Sequence, residues 1–569
     1  MTRPGSTSRF RLLPLLAGCG LVLLYACFAL YYTGHSRAAL LADFLGADGC
    51  IYRQQKFVSQ TFTEALKQKG NLWSLAGIVL ALVFAGSLYR MPFRLPWREA
   101  GALFRKHALP LLALLVLCLA VSVYGFYHNA LCTDEAFSAL NCAEQPVYRL
   151  LSYYPLPNNH VFYNFLNHFA AGISGNAFYS GRVLSILFYC VLCGANFLLF
   201  EHFTHNRLLA FLCSALLALQ FIVWGFGHQG RGYALCFLLE WGGFFSFYAY
   251  FFSAGRSKPE ALSLLLCCNI LGVWTVPIYL YLVMFFCCSA LLMMAWRRQL
   301  YLPFWYTMAL SGVGVCLVYL PLFCYSGFGS IFGGYATGQP LRELWDLSCI
   351  YFYNIVSLQT FNFLDLMKPL ATVLFLAPFA LWGVFRKRLG QFSGLLFLYV
   401  MLWFSLLLMS VLVRHLPVMR GIGFHMHFSL LLLLLMVVTL VGTGRRFRVV
   451  SVGLFTGITV LCAVRMFNYN KEFSPTDLYG QDTRAFYRSL DELPQDFPPG
   501  ARIWLPDECF MWPYVLKDRS KADLYDCSFR NQEILFLSED DKPLPEAMMK
   551  QYHERGQASW FKVYERNSE

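Results

Sequence analysis

The sequence predicts a polytopic α-helical membrane protein of about 13 transmembrane helices, with interfacial helices in an outer loop and a small C-terminal extracytoplasmic α/β domain. Three observations predict it. Hydrophobic residues make up 58% of the 569-residue chain and charged residues only 14%, and the apolar residues come in blocks of the roughly 20 residues that span a bilayer. Basic residues gather in every second loop, the positive-inside pattern. The charge then reverses near residue 467: residues 1–466 carry 32 Lys+Arg against 13 Asp+Glu, whereas 467–569 carry 13 against 19.

The apolar blocks centre near residues 22, 81, 117, 191, 215, 242, 268, 286, 313, 376, 402, 435 and 457. The first, "LLPLLAGCGLVLLYACFALYY", is longer than a signal-peptide core and has no small-x-small cleavage site, so it is expected to stay in the membrane. The loops "RMPFRLPWREAGALFRK" (90–106), "GRSK" (255–258), "RR" (297–298), "RKR" (386–388) and "RRFR" (445–448), with Arg3, Arg9 and Arg11, fall on the cytoplasmic side. An odd number of crossings puts the C-terminus outside. The net charge of +13 is thus topological, and a nucleic-acid partner is excluded as its cause.

Four outer regions are long enough to carry function: 34–72, 128–180, the glycine-rich 326–367, and the tail 467–569. In the tail, "RIWLPD", "EILFLSED" and "WFKVYER" read as strands, and "LPEAMMKQYHER" reads as helix-compatible. In the second region, "TDEAFSALNCAEQPVYRLLSYY" begins a helix with Thr133 or Asp134 near its N-cap. A second helix, in "PLPNNHVFYNFLNHFAAGISG", takes Asn158 as cap and Gly172 and Gly175 as stops. His160, Asn164 and His168 then share one face of an otherwise apolar, interfacial helix. Of the 20 cysteines most lie inside apolar blocks. The outward-facing ones suggest Cys132–Cys142 and Cys509–Cys527 as candidate disulfides, a connectivity that sequence alone leaves open.

Asp134 and Glu135 are adjacent acids where acids are scarce. Hydrated loops often carry such pairs. In a sheltered cleft, however, one of them can take a proton from a hydroxyl nucleophile. Arg231, in "GHQGRGYALCFLLEW" (227–241), is either a snorkelling arginine or a clamp for phosphate oxygens, with flanking glycines that let the backbone approach closely. Glu240 lies about 13 Å further along the same block at 1.5 Å per residue. The loop "RHLPVMRGIGFHMH" (414–427) adds Arg414 and Arg420, either as a polar turn or as an anion site. Its His425 and His427 do not form a zinc motif.

The order and side of "TDEAFS" (133–138), "PNNHVFYNFLNH" (157–168) and "GRGYAL" (230–235) resemble the GT-C superfamily of integral-membrane glycosyltransferases. Within it the pattern is similar to the protein O-mannosyltransferases and the bacterial aminoarabinose transferases. The resemblance covers roughly 107–466 and divides the chain into an N-terminal two-helix extension with an outer loop (1–106), a transmembrane catalytic module (107–466) and an extracytoplasmic C-terminal domain (467–569). It implies a polyprenyl-phosphate-linked sugar donor, a lipid, glycan or protein acceptor, and surrounding membrane lipids as partners. The implied reaction inverts the anomeric carbon, with Asp134 as general base and Glu135 as the second catalytic-site acid. Arg231 or Arg420 would bind the donor phosphate, and Asn159, His160, Asn164 and Tyr233 would line the acceptor cavity. No metal pair is evident, so a divalent metal stays an open cofactor. The implied setting is the cell (inner) membrane, with the active site and C-terminus on the periplasmic side.

One departure matters. In the family the acid pair follows the first crossing, and here it follows the third. The alternative function is a transporter, flippase or polymerase of lipid-linked glycans, and a non-catalytic membrane scaffold is a third class. A transporter should carry charged pairs near the midplane, whereas the ionisable residues here collect at the outer ends of the helices, with Glu240 a partial exception.

Overall fold

Long runs of Leu, Phe, Val and Ala leave backbone groups no partners in hydrocarbon except those within one helix, and the chain folds accordingly. The computed structural model describes residues 9–45, 61–91, 97–128, 133–154, 159–252, 258–329, 390–413, 419–441, 445–472, 503–504, 534–538, 550–558 and 561–567. The helices used below are α1 (Arg9–Gly34), α2 (Arg37–Leu45), α3 (Glu64–Arg90), α4 (Trp97–Lys106), α5 (Ala108–His128) and α6 (Thr133–Ser138). After a π-helical turn, Ala139–Ala143, come α7 (Val147–Ser152), α8 (Val161–Ser174), α9 (Ala177–Thr204), α10 (Arg207–Ala218), α11 (Phe221–Gly227) and α12 (Tyr233–Phe252). Next are α13 (Lys258–Thr275), α14 (Leu280–Arg297), α15 (Leu302–Val318), α16 (Leu320–Ser326), α17 (Gly390–Val413), α18 (Met419–Val441) and α19 (Arg445–Glu472).

Each apolar block coincides with a described helix except the one near 376, which lies outside the described residues. Six described helices are long and apolar enough to cross a membrane, or seven if α15 and α16 form one bent span. Arg207–Ala218 is shorter, and over their described portions α17, α18 and α19 are too, so the described residues do not establish thirteen crossings. The 49° bend between α15 and α16 falls at Tyr319, just ahead of Pro321, which has no N–H to continue the ladder.

Helix α1 packs onto α15 and α16. Tyr25 donates its hydroxyl to the Leu317 carbonyl at 2.6 Å, and Tyr32 donates to that of Cys324 at 2.8 Å. The main core, including Phe197, Phe237, Phe285 and Leu431, lies among α5, α9–α14, α17 and α18. It is apolar on all sides, so what distinguishes the helix ends is the polar residues they position.

Near the C-terminus, β1 (Ile503–Trp504), β2 (Ile534–Ser538), β3 (Tyr552–Ala558) and β4 (Phe561–Arg566) form a sheet of order β1-β2-β4-β3. β1 pairs parallel to β2, and the other pairings are antiparallel. The three strand readings hold in part, but the helical reading of "LPEAMMKQYHER" does not hold over Tyr552–Arg555. There, pairing with β4 and burial of Tyr552 and Val563 outweigh the helix propensity of Glu and Arg.

Candidate functional site

The acid pair opens α6, and the two neighbouring carboxylates diverge to different partners. Glu135 is sealed, only 1% exposed, and forms a two-point ion pair with Arg182: Nε donates to Oε1 at 3.0 Å and Nη2 to Oε2 at 2.9 Å. The Gly230 N–H also donates to Oε1, at 2.6 Å. Arg182 in turn donates from Nη1 to the Phe126 carbonyl at the end of α5 and lies over the Phe178 ring. Asp134 is 17% exposed and takes Nη1 of Arg231 on its Oδ2 at 2.8 Å, while Arg231 is itself 1% exposed. Two consecutive acids therefore grip two consecutive residues of the 230–231 loop.

His160 completes the cluster. The Gly232 N–H donates to its Nδ1 at 2.8 Å, which assigns the proton of the neutral ring to Nε2. Nε2 lies 3.3 Å from Arg231 Nη2, so two donors converge on one spot. The Tyr233 ring closes one side, edge-on to His160 at 4.7 Å and under the Arg231 guanidinium at 4.8 Å.

This closeness depends on small residues. A Cβ at Gly232 would lie 2.8 Å from Thr275 Cγ2 and 3.0 Å from both His160 Nδ1 and Tyr163 Cβ. The loop backbone is held from below, where Ser185 donates to the Arg231 carbonyl at 3.1 Å and Tyr163 bonds Ser185 and the Gly181 carbonyl.

Asp134, Glu135, Arg231, His160 and Tyr233 are thus brought together. Asn159 and Asn164 sit behind them: Asn159 Nδ2 donates to the Leu150 and Tyr153 carbonyls at the end of α7, and Asn164 Nδ2 donates to Asn159 Oδ1 at 3.0 Å. Both are buried and fix the α7–α8 corner. His168 bonds the Ala143 carbonyl. Arg420 lies in the first turn of α18, with its side chain outside the described residues, as Arg414 and Asn158 are entirely. Cys142 is a free, buried thiol, and Cys132, Cys509 and Cys527 lie outside the described residues.

Two members of the site were missed in the sequence. Arg182 was legible as an arginine at the start of a helix otherwise fit to span, where an ionisable residue is functional until shown otherwise. His228 had no such signal. It is buried against this network, and desolvation, then the nearby Arg182 charge, lower its pKa to about 3, so it is neutral. Its Nδ1 contacts the Trp224 carbonyl at 2.8 Å.

Among the described residues no three His, Cys, Asp or Glu side chains lie together to hold a metal ion. Each acid instead faces an arginine, which supplies the positive charge a cation would bring. Among the described residues the site does not fit a divalent metal centre.

No protein-family model matches the chain, and no curated protein matches it. Solved structures do. The chain is similar to the crystal structure of ArnT from Cupriavidus metallidurans bound to undecaprenyl phosphate, with a TM-score of 0.51 at 10% identity over 80% of this chain and 97% of that one. The apo structure of the same protein matches with a TM-score of 0.51 at 9% identity over the same shares. At such identities the likeness is one of fold, and it agrees with the GT-C resemblance of the sequence motifs.

Proposed function

We propose that this multi-pass protein is a GT-C type glycosyltransferase that moves a sugar from a polyprenyl-phosphate-linked donor to an acceptor hydroxyl, with inversion, on the extracytoplasmic face of the cell membrane. The observation that carries the reading is the split acid pair: one carboxylate is sealed on Arg182, and its partly exposed neighbour pairs with Arg231, whose other Nη meets His160. The fold likeness to a protein crystallised with undecaprenyl phosphate supports the donor class.

Asp134 accepts the proton of the acceptor hydroxyl as that oxygen bonds the anomeric carbon from the face opposite the leaving group. The bond from the anomeric carbon to the phosphate oxygen breaks, and its electron pair stays on the departing polyprenyl phosphate. An oxygen of that phosphate placed where Arg231 Nη2 and His160 Nε2 converge would accept from both, which stabilises the charge that grows there. Arg420 is the second candidate for the same group. Glu135 and Arg182 hold α6, α9 and the 230–231 loop in register. Tyr233 backs the guanidinium, and Asn159 and Asn164 hold the corner from which His160 projects.

The test is transfer from a polyprenyl-phosphate sugar in membranes containing the Asp134→Asn variant, with Arg231→Gln in parallel. Asp134→Asn is expected to lower kcat by about 10²–10⁴-fold with donor binding intact, the range a general base contributes. Arg231→Gln is expected to weaken donor binding. Undiminished turnover in Asp134→Asn overturns the base assignment.

A further inference from the structure

A cavity of about 1280 Å³ lies between α1, α2, α7, the end of α13 and the α15–α16 bend. Its walls are apolar, from Tyr25, Phe28, Phe44, Leu151, Trp274 and Tyr325. Among the described lining residues the only carboxylate is Asp43, and no lysine, arginine or histidine lines it. Asp43 stands with two phenols: Tyr31 donates to its Oδ2 at 2.5 Å, and Tyr148 donates to its backbone carbonyl at 2.8 Å. Among the described cations nearby, Arg149 lies 5.8 Å from the Tyr148 ring, and the others point to partners outside the cavity. Arg37 donates to the Phe62 carbonyl, Arg149 to Gln145, and Lys67 to Asn71 while lying over Tyr32.

We propose that this cavity holds the hydrocarbon chain of a lipid acceptor whose head group is neutral or cationic. The proposal deepens the glycosyltransferase reading and rests on it. The volume and apolar lining suit hydrocarbon, with a few polar groups at one place to orient a head. Charge decides which lipid. A polyprenyl phosphate lodged here would set its phosphate beside Asp43 with no cation among the described wall residues, whereas a hydroxyl or ammonium head can donate to the carboxylate. The donor's phosphate instead has Arg231.

Two wall segments lead directly into the charged site. Trp274 lines the cavity, and the next residue, Thr275, packs on Gly232. Likewise Leu151 and Ser152 line it, and the carbonyls flanking them, of Leu150 and Tyr153, hold Asn159, the neighbour of His160. A chain held in the cavity thus runs beside the segments that pack on Gly232 and hold Asn159, toward the charged site. Much of the wall comes from residues 21–44, within the extension that precedes the catalytic module. An added element that shapes the acceptor's seat alters what receives the sugar and leaves the donor chemistry alone.

The test uses the full chain in detergent with two photoactivatable probes, a diacylglycerol carrying a diazirine on its acyl chain and a polyprenyl phosphate carrying one on its isoprenoid. The diacylglycerol probe is expected to crosslink peptides containing residues 21–44 and 147–152, undiminished by a tenfold excess of unlabelled polyprenyl phosphate. Ala42→Trp, which fills the cavity from an exposed position, is expected to cut that labelling at least fivefold and to raise KM for transfer into a membrane lipid extract about tenfold with donor KM unchanged. If Ala42→Trp does not fold, the competition on the unaltered chain decides alone. Polyprenyl phosphate labelling these peptides, or diacylglycerol labelling spread evenly over lipid-facing helices, overturns the proposal. Crosslinking needs no turnover, so a chain that labels as expected yet transfers no sugar refutes the glycosyltransferase reading and leaves the lipid seat standing.

Discussion

At the scale of single residues, the two acids differ in what surrounds them. Glu135 and Arg182 are both almost fully enclosed, and removing one partner of such a pair leaves a buried charge uncompensated. Arg182→Met is expected to destabilise the protein by about 3–5 kcal/mol in denaturant unfolding in detergent. The double variant Arg182→Met/Glu135→Leu should recover much of that, and a double variant no better than the single one would show that packing, not charge, is at stake. His228 sets a pH limit. Its folded pKa of about 3 lies below that of an unfolded histidine, so the unfolded chain binds the extra proton as pH falls below about 6.5. Stability is therefore complete above that value and declines towards pH 3, by on the order of 2 kcal/mol at pH 5 from this residue. His228→Phe should flatten the melting temperature measured between pH 7 and pH 5. The sequence made the acids conspicuous because acids are rare in residues 1–466. It hid Arg182 and His228 because their importance lies in what they touch far along the chain, as Arg182 does with Glu135, 47 residues away.

At the scale of elements, helices are what apolar length predicts, and their ends are what it does not. The motif glycines were read as permitting close approach, and Gly232 does so against Thr275, His160 and Tyr163. Gly232→Val is expected to push the loop off these neighbours and abolish measurable transfer while the helical circular dichroism stays unchanged, since the surrounding helices are anchored independently. Retention of full activity would mean that the loop is free to move. The α7–α8 corner carries the opposite lesson. His160, Asn164 and His168 share one polar face by spacing, yet Asn164 and His168 turn to Asn159 and the Ala143 carbonyl. Helical spacing says which residues share a face, not whether that face meets a ligand or another turn of chain. In the tail, "YHER" joins a strand because its β4 partners lie 10 to 14 residues on, and no local propensity carries that information.

For the whole molecule, the alternation of basic loops predicts sidedness more directly than any helix does. A reporter active only outside the cytoplasm, fused after residue 569, is expected to be active, and one inserted at 386–388 is expected to be silent. The reverse pattern would turn the proposed site inward, where no lipid-linked donor of the outer leaflet could reach it.

The pairing of the two acids has a consequence for how the protein is made. In both ion pairs the acid precedes its arginine in the chain, Asp134 before Arg231 and Glu135 before Arg182. In synthesis from the N-terminus each carboxylate has therefore left the ribosome before its guanidinium is made, so a partner for each arginine already exists. Biogenesis from the N-terminus thus assembles the site in an order that keeps each new positive charge accompanied.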